Sequence, residues 1–122
     1  MVLVDTSVWV DHLNHGDSRL ASILQDRRVL AHPFVVGELA LGNLRQRELI
    51  IGDLQSLPQA TVASDDEVLA LIAGGRLFGL GIGYVDAHLL AATKLTAGAS
   101  LWTRDRRLSA VTRQLGLSPP WE

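Results

Sequence analysis

Four acidic residues in this chain stand where an acid is not expected. Asp5 closes the apolar run Val2, Leu3 and Val4, and Asp105 follows Leu101 and Trp102 in the stretch LWTRD. Glu38 comes three residues after Val35, with Leu39 beside it and Leu41 three further on. Asp86 has Ile82 four residues before it and Leu89 and Leu90 three and four after. Residues three and four apart share a helix face, so Glu38 and Asp86 are expected on apolar, inward faces. Each acid alone has an ordinary reading. Asp5 and Asp105 suit helix N-caps, and an Arg partner would neutralise Glu38 or Asp86.

Taken jointly the ordinary readings weaken, because two acids close buried strands and two lie on helices that begin beyond such strands. All four can converge above one sheet edge. Clustered carboxylates repel one another and are stable only with cations or shared protons. Mg²⁺ or Mn²⁺ is the natural partner, since hard divalent ions take oxygen ligands, keep waters and pair a few carboxylates with substrate phosphates. Metal-dependent phosphodiester hydrolysis follows, with no covalent intermediate required. Thr6, Ser7 and Thr103 supply hydroxyls near the strand ends, where each can orient a carboxylate or cap a helix.

The elements that must position these acids alternate between strand and helix patterns. Short apolar runs mark strands at 2–4, 29–31 and 60–63, and a fourth at 100–103. Helical spacing covers 6–13, and Asp17 and Ser18 cap a second helix carrying Leu20, Ile23 and Leu24. Pro33 suits the first turn of a helix over 34–44, and another covers 46–57, stopping at Pro58. Ser64 to Glu67 has capping-box spacing and starts a helix to 78. GLGIG at 79–83 interrupts the pattern before a helix over 84–97 that ends at Gly98, and the last helix covers 105–115. Strands separated by helices imply crossover connections, an α/β sandwich with a mainly parallel sheet, and ligands at the carboxyl ends of its strands.

Composition narrows the classes. At 122 residues the chain has one domain's length, and residues 1–122 are expected to form a single domain. No cysteine is present, which removes disulfides, thiol catalysis and thiolate metal sites. No signal-peptide pattern or apolar run of membrane-spanning length is seen, so a soluble, cytoplasmic protein is expected. The formal charge of −2 looks unsuited to nucleic acid, but setting the four acids aside leaves nine acids against eleven basic residues. Ten of those eleven are Arg, whose planar fork suits phosphate or carboxylate.

DTSVWV at 5–10, GELALG around Glu38, YVDAHLLAAT around Asp86, and LWTRD with a following helix and Gly116-Leu117 resemble the PIN-domain ribonucleases, in particular the VapC toxins of VapBC toxin-antitoxin modules. The resemblance runs nearly the whole chain, in order. It implies a three-layer α/β/α sandwich with a five-stranded parallel sheet and an Mg²⁺- or Mn²⁺-dependent endoribonuclease. Asp5, Glu38, Asp86 and Asp105 would be the catalytic and metal-holding set, with Ser7 and Thr103 accessory. It further implies a homodimer whose sites share a groove, and a VapB-like antitoxin that fills the groove in a larger hetero-oligomer and alone contacts DNA. Where many of the family carry a further polar or acidic residue after the last aspartate, this chain has Arg106, Arg107 and Leu108, and Gly37 precedes the glutamate. Arg104, Arg106, Arg107 and His88 are the candidates for contact with RNA or antitoxin.

An RNA-processing nuclease without an antitoxin has the same site, and a degenerate fold that only binds protein would not need all four acids. An aspartyl-phosphate phosphatase places an Asp after its first strand but needs a second acid two residues on, where this chain has Ser7. His12 and His15 have no further ligand to complete a zinc site. GLGIG lacks the GxGxxG register and serves better as a turn delivering Asp86.

Overall fold

The structure, a computed structural model, describes residues 1–122. Val2–Val4 (β1) is the middle strand of a parallel sheet, flanked by Val29–Leu30 (β2) and Ser100–Trp102 (β3). Val2 lies opposite Val29 and Ser100, Leu3 opposite Leu30 and Leu101, and Val4 opposite Trp102. Successive strand side chains point to opposite faces. Since Val2, Leu3 and Val4 are each at most 2% exposed, both faces of the central strand are covered. That is the three-layer α/β/α arrangement expected from a run with no polar alternation. Each such side chain contributes about 1.5–3 kcal/mol on burial, and together they anchor an apolar core that includes Trp9, Leu20, Leu89, Leu90 and Leu108.

Seven helices connect and cover the strands: α1 (Thr6–His15), α2 (Ser18–Gln25), α3 (Pro33–Ala40), α4 (Arg47–Ser56), α5 (Asp65–Gly74), α6 (Tyr84–Leu95) and α7 (Arg106–Gln114). Their starts follow local chemistry. Asp17 accepts the Leu20 N–H, Pro33 occupies the first turn of α3, and Ser64 and Glu67 form a reciprocal capping box. Several ends come earlier than periodicity predicts. The α3 helix stops at Ala40, ahead of Gly42, and α5 stops at Gly74 beside Gly75. The α6 helix ends at Leu95 because Thr96 turns to an extended conformation. None of the helices is long and apolar enough to cross a membrane.

The sheet is narrower than expected. It has three strands, so neither the five-stranded sheet nor a full strand at 60–63 is present; what remains of the latter is one parallel bridge from Ala31 to Gln59. Ala31 N–H donates to Pro58 O at 2.8 Å and Ala60 N–H to Ala31 O at 2.9 Å. The pairing ends there because the Thr61 N–H is taken by the Thr96 hydroxyl at 2.9 Å. Pro58 has no N–H to extend it on the other side.

Candidate active site

Parallel pairing of β1 with β3 brings two strand ends side by side. Asp5 N–H donates to Trp102 O at 2.9 Å, so Asp5 and Thr103 leave the sheet as neighbours. Asp5 is 7% exposed, and a bare carboxylate at that depth would be costly. It instead accepts three hydrogen bonds and keeps one lone pair of Oδ1 free. Oδ1 accepts the Thr6 N–H at 2.8 Å, and Oδ2 accepts the Thr103 hydroxyl at 2.7 Å and the Ser7 hydroxyl at 3.1 Å. Ser7 also accepts the Arg104 N–H at 3.0 Å, and Thr103 accepts the Asp105 N–H at 3.0 Å. The two hydroxyls thus tie the start of α1 to the turn after β3. Asp5 caps α1 while its second oxygen is fixed by the two hydroxyls.

The other three acids reach this centre from α3, α6 and the start of α7. Glu38 Oε1 accepts the Thr6 hydroxyl at 2.7 Å. Asp86 Oδ2 accepts the Gly83 N–H at 3.0 Å, and Asp105 Oδ1 accepts the Leu108 N–H at 3.0 Å as the N-cap of α7. Glu38 Oε2, Asp86 Oδ1 and Asp105 Oδ2 are left without a donor from the chain. Burial, and after it the negative charges of Asp5, Asp105 and Glu38, push the Asp86 carboxyl above its ordinary range against the pull of the Gly83 N–H. Asp86 is therefore within electrostatic reach of each of the other three acids.

The donor set consists entirely of oxygen. No three acidic or imidazole groups close on a point to enclose an ion by themselves. A hard divalent cation that retains part of its water shell fits such a set, whereas a fully dehydrated, all-protein cage does not.

Some residues lie differently from expectation. Glu38 is exposed: Val35 and Leu39 carry the buried stripe of α3, and Leu41 lies beyond the helix end at 91% exposure. His88 is 3% exposed and cannot touch RNA directly; it is packed under Phe34 and Tyr84, with ring centroids 4.7 Å away in both cases. Its Nε2 lies 3.2 Å from Asp65 Oδ1. Arg104 is occupied by Asp11, at 2.7 Å from Nε, and by Asp17. The Arg107 side chain lies against Gly81, and Arg106 lines a polar cleft with Thr103 and Arg113.

Sequence reasoning missed the group built around His88. Asp65 accepts the Tyr84 hydroxyl at 2.9 Å, while His32, fully buried, caps α3 by accepting the Phe34 N–H at 3.0 Å on Nδ1. Burial and then His88 pull His32 down to about 4, so it stays neutral near neutrality. The spacing of Tyr84 and His88, four apart on one helix face, was the available signal; their partner Asp65 lies on another helix.

The PIN domain family model matches residues 2–114. Two curated relatives, each named Ribonuclease VapC32, come from Mycobacterium tuberculosis strains CDC 1551 / Oshkosh and ATCC 25618 / H37Rv. Each is 48% identical over 118 residues, covering 97% of this chain and 95% of the relative. With the α/β/α sandwich, the parallel sheet and the acids at its strand ends already in place, this match over nearly the full length shows that the chain belongs to the PIN domain family.

Proposed function

We propose that this chain is an endoribonuclease of the VapC kind, hydrolysing phosphodiester bonds in RNA with Mg²⁺ or Mn²⁺ and acting as the toxin of a toxin-antitoxin pair. One observation carries the reading: Asp86, half-buried on α6, feels the charges of Asp5, Glu38 and Asp105 from separate parts of the fold, and none of the four has a basic side chain to neutralise it. The names of the relatives point the same way. Asp5, Glu38, Asp86 and Asp105 would hold the cation, with Ser7 and Thr103 fixing Asp5. When bound, such an ion supplies positive charge that acidifies water and stabilises the charge developing at phosphorus. Asp86 Oδ1, Asp105 Oδ2 and Glu38 Oε2 have lone pairs free for the ion or its water shell. Arg106 and Arg113 can meet RNA phosphates from the neighbouring cleft.

On this reading residues 1–122 act as one cytoplasmic PIN domain and pair as a homodimer. A VapB-like antitoxin binds the toxin and provides the contact with DNA. The test is to induce the parent and Asp5→Asn in cells and map RNA 5′ ends. Growth arrest with a discrete end produced by the parent alone is expected; identical RNA ends from the two proteins would refute the reading. Purified protein should cut RNA with Mg²⁺ or Mn²⁺ and stop with EDTA.

A further inference from the structure

The chain has two phenylalanines and one tyrosine, and all three reach the surface: Phe34 is 36% exposed, Phe78 66% and Tyr84 48%. Trp9 and Trp102, by contrast, are buried. Tyr84 is held in place from two directions. Its hydroxyl donates to Asp65, and its ring meets His88 edge-on at an interplanar angle of 89°. A ring already fixed loses little further freedom when something stacks on it.

Tyr84 and Phe78 line a cleft of about 190 Å³ together with Ile72, Ile82 and Gly83, and no charged side chain lines it. Its loop is shaped by Gly79 and Gly81, at φ 76° and 79°, a region that side-chain-bearing residues rarely adopt. Arg107 covers Gly81 so closely that a Cβ there would lie 2.7 Å from Nη1. A second cleft, of about 460 Å³, has the opposite chemistry: it is lined by Thr103, Ser109, Arg106, Arg113, Glu122 and Arg104, the last already paired with Asp11 and Asp17, and by no apolar side chain.

Both clefts border the carboxylates. Gly83, in the wall of the first, donates its N–H to Asp86, and Thr103, in the wall of the second, donates its hydroxyl to Asp5. A nucleotide has the same two-sided character, with an anionic phosphate and a flat base. We propose that the Phe78–Tyr84 cleft is a subsite for one unstacked nucleobase of single-stranded RNA, next to the phosphodiester that is cut. This rests on the ribonuclease reading above and adds to it a substrate feature: the RNA must offer a splayed base at the cut. Aromatic faces accept bases of any identity, so the subsite selects single-stranded structure more than sequence.

The test uses the full chain with Asp86→Asn to block turnover, and an RNA oligonucleotide spanning the mapped cleavage site with 2-aminopurine at one nucleotide at a time. Fluorescence should be quenched at one position beside the cut. Phe78→Leu should weaken binding roughly 5- to 160-fold, the range for loss of one base–aromatic stack, and Phe78→Trp should restore it. An abasic nucleotide at that position should bind Phe78→Leu and Phe78 proteins equally weakly. Because Phe78 is mostly exposed, circular dichroism should show both variants folded. Parent-like binding by both Phe78→Leu and Tyr84→Leu would overturn the subsite. So would a change in sedimentation of RNA-free Phe78→Leu, which would make the cleft an interface between copies. A parent protein that cuts no RNA with Mg²⁺ or Mn²⁺ would overturn the ribonuclease reading itself, a result separable from the binding data.

Discussion

Asp11 and Asp17 share the guanidinium of Arg104, whereas Asp5, Glu38, Asp86 and Asp105 have no Lys, Arg or His within 4.0 Å. Both groups contain a helix cap. Their electrostatics run in opposite directions. The Leu20 N–H above all, and Arg104 after it, hold the Asp17 carboxyl below its ordinary range. Burial and three like charges push Asp86 above it. The first group is satisfied by the chain alone. The second is held by hydroxyls and backbone N–H groups, which orient carboxylates without cancelling their charge, and so leaves a place for a cation from solution.

This contrast can be broken most directly at the catalytic level. Asp5→Asn and Asp86→Asn should each lower metal-dependent RNA cleavage by about a hundredfold or more, while Asp11→Asn keeps the parent's rate. Gel-based cleavage of a defined RNA in Mg²⁺ checks all three, and a parent-like rate for Asp86→Asn would dissolve the distinction between the groups. Next comes cation binding. Saturating Mg²⁺ or Mn²⁺ should stabilise the parent by about 2.7 kcal/mol at a hundredfold excess over Kd, raising Tm by several degrees in calorimetry. Asp86→Asn should show much less of that rise.

Thr103→Val probes how the uncompensated group is held. It removes the hydroxyl bonded to Asp5 Oδ2 and to the Asp105 N–H. Leaving buried Asp5 short of a donor should cost about 1–3 kcal/mol in urea denaturation.

The smallest effect is in the pH dependence. A carboxyl whose folded pKa is raised above its unfolded value works against the fold once charged, and that penalty disappears as pH falls through the raised value. Metal-free Asp86→Asn should therefore be more stable than the parent at neutral pH, with the gap closing on acidification. Asp17 has the reverse sign. Its lowered pKa gives stability above the unfolded value, near 3.8, that is lost as pH falls through the lower folded one. Asp17→Asn should accordingly be less stable than the parent at neutral pH, and denaturation series across pH separate the two.

The acids that end strands were the most legible in the sequence. A short apolar run followed by Asp and hydroxyl residues is a local signal, and both Asp5 and Asp105 emerge as caps at strand ends. The GLGIG turn and the Ser64 capping box were equally local. Glu38 was harder to place, because helical spacing locates a residue to within a face but not to its edge; the stripe set by Val35 and Leu39 leaves it exposed. His88, two residues after Asp86, is equally compatible in sequence with a contact and with packing, and its burial depends on Phe34 from another helix. Arg104 looked free for RNA until folding brought Asp11 and Asp17 to it.

The sequence by itself determined the central buried strand, the succession of helices and where most of them start, since these depend on runs, spacings and caps within a few residues. Tertiary structure decided how wide the sheet is, which Arg is consumed, and which rings face solvent. Those outcomes turn on competition for single partners far apart in the chain. The Thr61 N–H bonds Thr96 rather than a strand, and Thr103 bonds Asp5 across 98 residues. No local pattern specifies which of several available donors and acceptors will meet once the chain is packed.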